Sequence, residues 1–174
     1  MIVLPDNLPD LNRRIIRNVQ RRIPILENPP LSNRSPEIDA MCRRFGVPLG
    51  SWWCALLAAD VWADEGAAIP PIDEGKGWHP AMAETWRRWA LYEGLFTTTP
   101  VHGSAVLYGR EGRHPPAEHI GAAVASIDPV LMDFEGNTSG AGFSRNGELA
   151  TLKLIDTSRL IGYVLPRAAR RSAA

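Results

Sequence analysis

Residues 50 to 62 read GSWWCALLAADVW, a glycine turn that leads a cysteine directly into an apolar run. Apolar residues cover nearly every face of the predicted helix, which indicates a central helix buried in the core. The run predicts a helix that begins at Trp53 or Cys54 and ends by Gly66. Cys54 would then lie in the first turn, where unpaired backbone N–H groups and the positive end of the helix dipole favour a thiolate.

Two further helices are predicted before this one. The segment Leu11–Ile23 places apolar side chains on one face with arginines around it, and Pro24 ends the pattern. We expect its apolar side to pack on the same domain, although a basic amphipathic helix also suits an acidic partner surface. Ser35 supplies an N-cap and Pro36 the first helical position, so the second helix is expected to run to about Phe45.

The second half of the chain has the pattern of an antiparallel sheet. A helix over Pro80–Tyr92 precedes it, and after Gly103 short apolar or alternating runs are typical of strands. Asp128-Pro129 and Asn146-Gly147 are tight-turn signals that predict neighbouring strands joined as hairpins. Helices followed by strands predict an α+β fold, with N-terminal helices packed on a C-terminal antiparallel sheet. The predicted strands are Ala105–Tyr108, His119–Ala125, Val130–Phe134, Glu148–Ile155 and Leu160–Leu165.

Composition restricts the class of protein. The chain has 174 residues, 45% of them hydrophobic, with 19 basic residues against 19 acidic ones. A balanced charge gives no general attraction to nucleic acid or an acidic membrane. No run approaches the roughly 18 apolar residues of a membrane span, and the start lacks a secretory signal, so we expect cytoplasmic synthesis without membrane insertion. We divide the chain into a basic arm and linker over 1–33, a main domain over 34–166 and a basic tail over 167–174.

Candidate partners for Cys54 lie in one predicted hairpin. If Asp128-Pro129 forms the turn, His119 lies roughly opposite Glu135, and Asn137 follows on the same face. A thiolate, an imidazole and a carboxylate or carboxamide are the parts of a cysteine hydrolase. His119 would serve as general base and acid, and the backbone N–H of Cys54 would stabilise the oxyanion.

The remaining histidines and the second cysteine are expected to have no part in the reaction. The remaining histidines stand beside a proline or glycine in predicted loops: His79, His102 and His114. Loops hold a side chain less rigidly than a strand, which favours His119. Cys42 fits a small buried hydrophobe, and a bridge from it to Cys54 would silence the nucleophile. The chain has no Cys-x-x-Cys and no His-x-x-x-His, so neither a metal nor another cofactor is expected.

Segments at four places follow a family pattern in order: Trp53-Cys54-Ala55, His119-Ile120-Gly121, Glu135-Gly136-Asn137-Thr138-Ser139 and Ile161-Gly162-Tyr163-Val164-Leu165-Pro166. They resemble the CHAP family of cysteine, histidine-dependent amidohydrolases and peptidases, relatives of the NlpC-type cell-wall enzymes. The resemblance extends from about Arg34 to Pro166. It departs from the family at Ser51-Trp52, where a proline commonly precedes the tryptophan, and in the tryptophan-rich segment Ile69–Thr99.

The resemblance implies a papain-like α+β fold and a peptidoglycan hydrolase, cutting either the sugar-to-peptide amide or the stem or bridge peptides. It implies Cys54 as nucleophile, His119 as base and acid, and Glu135 with Asn137 as the groups that orient or polarise the imidazole. Because no export signal is present, action in the periplasm or wall would need delivery by another system, and an immunity protein is a possible partner.

Substrate contacts and two other functions stay open at this point. Trp52, Trp53 and Trp78 are candidates for lining a substrate groove, with core packing as the alternative. The fold also suits a non-catalytic wall-binding or assembly module, with the arginine-rich arm as its partner surface. A third possibility is a thiol peptidase or acyltransferase that acts on protein.

Overall fold

A computed structural model describes residues 2, 4–109, 117–127, 130–138 and 148–169 of the chain. Three features singled out in the sequence lie outside the described residues: the turns Asp128-Pro129 and Asn146-Gly147, and His114. The predicted basic tail is described only as far as Ala169.

The described residues form four α-helices and a seven-stranded sheet. The helices are α1 (Asp10–Arg22), α2 (Pro36–Arg44), α3 (Cys54–Asp64) and α4 (Ala83–Tyr92). The strands are β1 (Ile25–Leu26), β2 (Phe96–Thr97), β3 (Ala105–Gly109), β4 (Ala117–Ile127), β5 (Val130–Thr138), β6 (Leu149–Leu154) and β7 (Leu160–Val164). Every pairing is antiparallel, and the sheet order is β1-β6-β5-β4-β3-β7-β2. The predicted α+β class is confirmed.

The sequence predicts the start of α2 correctly and the start of α4 incorrectly. The Ser35 side chain accepts a hydrogen bond from the backbone N–H of Ile38 at 3.2 Å, and Pro36 is the first residue of α2, as predicted. Helix α4 begins at Ala83, three residues after the predicted start at Pro80. The Trp86 indole donates to the Pro80 carbonyl at 2.8 Å, which holds the preceding residues in a turn outside the helix.

The two outermost strands were not predicted. Strands β1 and β2 have two residues each, too few to show an apolar period. They form by pairing with longer neighbours, β1 with β6 and β2 with β7. Residues 25–26, from the segment predicted as an arm and linker, and residues 96–97, from the main domain, therefore form the two edges of the same sheet.

The N-terminal helix packs its apolar side on the main domain, as the sequence favoured. Ile15, Ile16 and Val19 are fully buried among core residues. On the polar side, Arg22 forms ion pairs with Asp60 and Asp64 of α3. Residues 10–26 therefore pack into the same core and sheet as the residues that follow residue 33.

The sheet has a core on each face. The larger core lies between the helices and the face that carries Leu107, Ile120 and Phe134. A smaller cluster of Val106, Tyr108, Val124 and Tyr163 lies on the other face. No helix in the part of the chain that the structure describes has the length and apolar character needed to cross a bilayer.

The contact of α1 with the turn before β3 predicts a stability difference between two glycine substitutions. A Cβ at Gly103, whose φ is +81°, would lie 2.8 Å from Cα of Asn12, whereas a Cβ at Gly94, with φ of +68°, meets nothing within 4 Å. We expect Gly94→Ala to lower the free energy of unfolding by about 1 kcal/mol through backbone conformation alone. Gly103→Ala should cost about 3 kcal/mol, because it adds a steric clash. Urea unfolding of the two variants measures the difference, and equal losses would contradict this docking of α1.

Candidate active site

An extra residue in β4 decides which side chains share a face of the sheet. The β4–β5 ladder runs from Ile127–Val130 to Gly121–Glu135, with a register shift between Gly121 and Ala123. Ala122 is the additional residue of this β-bulge, and its carbonyl accepts the indole N–H of Trp62 at 2.9 Å. Because side chains alternate along a strand, one inserted residue moves those beyond it to the opposite face. The bulge therefore puts His119 on the same face as Glu135.

His119 and Glu135 form the buried pair that the hairpin predicted. His119 Nε2 lies 3.2 Å from Glu135 Oε2, and both side chains are almost completely buried. The residue directly opposite Glu135 is Gly121, so His119 reaches the carboxylate diagonally across a position without a side chain. The imidazole thus has a fixed orientation, with Nε2 on the carboxylate and Nδ1 left as the ring atom for another partner.

Cys54, the first residue of α3, is the second side chain that interacts with the imidazole. Its sulfur interacts with the His119 imidazole and with the backbone N–H groups of Ile120 and Ala55. The N-cap of the helix is Trp53, which makes no side-chain capping hydrogen bond, and the first turn has no acidic residue. The positive end of the helix dipole is therefore not offset within the first turn. Cys54 is partly exposed, and both it and Cys42 are free thiols.

The charges of the site stabilise a thiolate–imidazolium pair. Burial raises the pKa of Cys54, but the neighbouring His119 and the backbone N–H groups outweigh burial and leave the pKa below its ordinary value. Burial likewise disfavours charge on His119, yet the interactions with Cys54 and Glu135 raise its pKa to about 10. Between the lowered pKa of the thiol and pH 10, the sulfur is anionic and the ring is cationic. This is the charge state that nucleophilic attack by a thiol requires.

Glu135 is held in its charged form by two cations. Burial would raise the pKa of its carboxyl group, but the hydrogen bond and charge of His119, together with Lys153, lower it. Lys153 Nζ lies 3.5 Å from Glu135 Oε2 and donates to Thr138 Oγ1 at 2.9 Å. The sequence did not single out Lys153, because its place beside Glu135 depends on the pairing of β5 with β6.

Asp133 and Tyr108 are further site residues that sequence reasoning left unassigned. Asp133 is fully buried, and burial together with the negative charge of Glu135 raises the pKa of its carboxyl group well above the usual range. It interacts with the Tyr108 hydroxyl, and the Tyr108 ring stacks on His119 with centroids 6.1 Å apart. Asp133 fills the space beside Gly121, where an added Cβ would lie 2.0 Å from Oδ2. The alternation of Asp133 with Glu135 was a usable signal, whereas Tyr108 needed the β3–β4 register.

Asn137 makes no hydrogen bond to the imidazole in the part of the chain that the structure describes, although the sequence predicts one. It is buried and has a left-handed backbone with φ of 54°. Neither polar atom of its side chain has a hydrogen-bond partner among the residues that the structure describes. The β5–β6 register shifts between Glu135 and Thr138, so the simple alternation that placed Asn137 with Glu135 is interrupted there.

The three candidate tryptophans occupy different environments. Trp52 is 57% exposed and lines an open groove of about 460 Å³ together with Pro48 and Met82. Trp53 is fully buried, and Trp78 is 7% exposed with its ring against Tyr92. Of the three, Trp52 is the one whose ring faces open space near the start of α3.

Two other histidines are engaged elsewhere. His79 Nε2 lies 3.1 Å from the Phe45 carbonyl oxygen, and its Nδ1 accepts from the Ala81 backbone N–H. His102 Nε2 lies 2.9 Å from Ser126 Oγ. Within the described ranges, no group of three His, Cys, Asp or Glu side chains has the arrangement to hold a metal ion.

Comparison of the chain with protein-family models, with curated proteins and with solved structures finds no significant match in any of the three. The chemistry of the chain therefore has to be derived from its own residues.

The ion pair predicts how Cys54 reacts with iodoacetamide as pH changes. In a Cys42→Ala background, the alkylation rate should rise with a midpoint well below the value of about 8.5 for a free thiol. Glu135→Gln removes a negative charge that favours the imidazolium, so the midpoint should move upward by about 1 pH unit. Glu118→Gln is the matched control, since this carboxylate pairs with Arg159 at 3.1 Å. A wild-type midpoint at or above that of a free thiol would contradict the ion pair.

Proposed function

We propose that this chain is a cysteine amidohydrolase or peptidase with a papain-like fold of the CHAP type, acting on the peptide part of peptidoglycan. The observation that carries the reaction class is the chain of contacts from Cys54 through His119 to Glu135, in which His119 Nε2 lies 3.2 Å from Oε2. A nucleophile, a base and a group that orients the base is the minimal set for acyl transfer by a thiol.

The proposed reaction has two steps. The Cys54 thiolate attacks the amide carbonyl, and His119 gives its proton to the leaving amine, which leaves a thioester on the sulfur. His119 then takes a proton from water, and the hydroxide attacks the thioester. The C–S bond breaks, the carboxylic product departs, and Cys54 is again a thiolate beside the protonated His119. The backbone N–H of Cys54 at the start of α3 is the proposed donor to the oxyanion.

Burial and charge explain why His119 suits both steps. The carboxylate of Glu135 stabilises the imidazolium that is present before the attack, and Tyr108 covers one face of the ring. The ring lies on a strand and is almost completely buried, so it keeps its position as the proton moves. A non-catalytic module would have no need for a thiol whose pKa is lowered by a buried imidazole.

The substrate class is supported by the resemblance and by the open groove beside α3. The groove is lined mostly by apolar side chains, among them Trp52, Val47 and Met82, and a volume of about 460 Å³ holds part of a peptide. Peptidoglycan peptides and protein segments both fit this description. Product analysis separates the two.

Hydrolysis of purified walls tests the proposal directly. Wild-type protein is expected to release soluble fragments from defined peptidoglycan, and Cys54→Ala and His119→Ala should each lose at least about a thousandfold in rate, because each removes a reacting group. Cys42→Ala, which changes the buried thiol of α2, is the control that should retain activity.

Mass spectrometry of the fragments identifies the bond that is cut. Release of intact stem peptides indicates the sugar-to-peptide amide, and shortened peptides indicate an endopeptidase. Digestion of a protein panel with intact walls would move the proposal to a protein substrate, and no hydrolysis of either would refute it.

A further inference from the structure

The segment between β1 and α2 contributes a buried carboxylate that binds the side chain of Trp53, the residue before Cys54. Glu27 is 6% exposed, and its Oε1 accepts the indole N–H of Trp53 at 2.9 Å. Its Oε2 accepts the backbone N–H of Asn33 at 2.9 Å, and its own backbone N–H donates to the Glu148 carbonyl at 2.8 Å. The carboxylate is thus fixed at both oxygens and at its backbone.

Trp53 connects this carboxylate to the reacting residues. It immediately precedes Cys54 as the N-cap of α3, and its side chain is fully buried. Its ring lies against Gly136, where an added Cβ would be 2.8 Å from Cζ3. Gly136 follows Glu135 on β5. The indole ring therefore lies between the start of α3, which carries Cys54, and the strand that carries Glu135.

The contact fixes the residue at the start of α3. An N-cap side chain normally fixes the first turn by accepting a backbone N–H, and Trp53 makes no such bond. The hydrogen bond from its indole to Glu27 holds this residue through its side chain instead. The buried carboxylate has a donor at each oxygen, which is the condition for burying an acid without a large cost.

We propose that Glu27 is a positioning residue that fixes the Trp53 ring and, through it, the distance between the Cys54 sulfur and the His119 imidazole. The consequence for hydrolysis rests on the proposed function, whereas the consequence for thiolate reactivity does not. The N-terminal segment, which precedes the region of family resemblance, is then part of the catalytic arrangement.

The test uses the full chain in a Cys42→Ala background with three substitutions. Glu27→Ala removes both acceptor oxygens, Glu27→Gln keeps one of them and sets an amide NH2 group against the other N–H donor, and Trp53→Phe keeps an aromatic ring without the N–H. Glu148→Ala is the matched control, because this exposed residue meets Glu27 through its backbone carbonyl alone. Each variant is measured for iodoacetamide rate against pH, for the Trp53 indole N–H resonance and for thermal unfolding.

We expect Glu27→Ala to shift the Trp53 indole resonance and to slow alkylation of Cys54 about tenfold at neutral pH. Glu27→Gln should fall between Glu27→Ala and the parent, because it keeps one of the two acceptor oxygens. Trp53→Phe should slow alkylation in the same direction, and the double variant should be no slower than the slower single variant, since both changes break one contact. If Glu27→Ala fails to fold, Trp53→Phe and Glu27→Gln still decide the question. Unchanged alkylation in a folded Glu27→Ala or Trp53→Phe variant would overturn the proposal.

Hydrolysis separates failure of this inference from failure of the proposed function. Where wild-type protein cleaves walls, Glu27→Ala should lower kcat about tenfold with little change in KM, because the substrate groove is untouched. If wild-type protein cleaves nothing while Glu27→Ala still slows alkylation, the positioning role stands and the hydrolase proposal falls. If wild-type protein cleaves walls while Glu27→Ala changes neither kcat nor alkylation, the hydrolase proposal stands and the positioning role falls.

Discussion

The extra residue Ala122 in β4 is the constraint on which the candidate site depends. A regular ladder would turn His119 away from Glu135, because each residue added to or removed from a strand reverses the side chains beyond it. The Trp62 indole bonds the carbonyl of this extra residue, so α3 is tied to the irregularity that sets the orientation of His119. Nucleophile and base are therefore positioned by one local feature of the sheet.

The site is a buried group of charges that depend on one another. Cys54, His119, Glu135 and Lys153 alternate in sign along their contacts, while Asp133 has its pKa raised well above the usual range. Unpaired charge is costly in a buried environment, so removing one charged side chain makes ionisation of the others less favourable. This explains how a thiolate is stable here and why its reactivity is expected to respond to substitutions beyond its direct partners.

Short-range patterns in the sequence predicted much of this structure. The glycines at 50 and 66 marked the bounds predicted for α3. The predicted hairpin set His119 opposite Glu135, whereas the structure sets Gly121 there and joins His119 to Glu135 diagonally. Neither the bulge in β4 nor the register shift in β5 left a signal in the sequence. Asn137 was predicted to orient the imidazole, yet its side chain makes no hydrogen bond among the described residues. Glu27 could not be recognised either, because its partner Trp53 lies 26 residues away and meets it only after β1 joins the sheet.

Docking of α1 has a practical consequence for where the chain can be divided. A truncated protein beginning at Arg34 would keep every motif of the resemblance, yet it would lose the helix that buries Ile15, Ile16 and Val19. The surface that these side chains cover on α3 and β4 would then be open to water. Newly exposed apolar surface promotes self-association, so poor solubility of such a fragment would reflect the missing helix and not an unstable main domain.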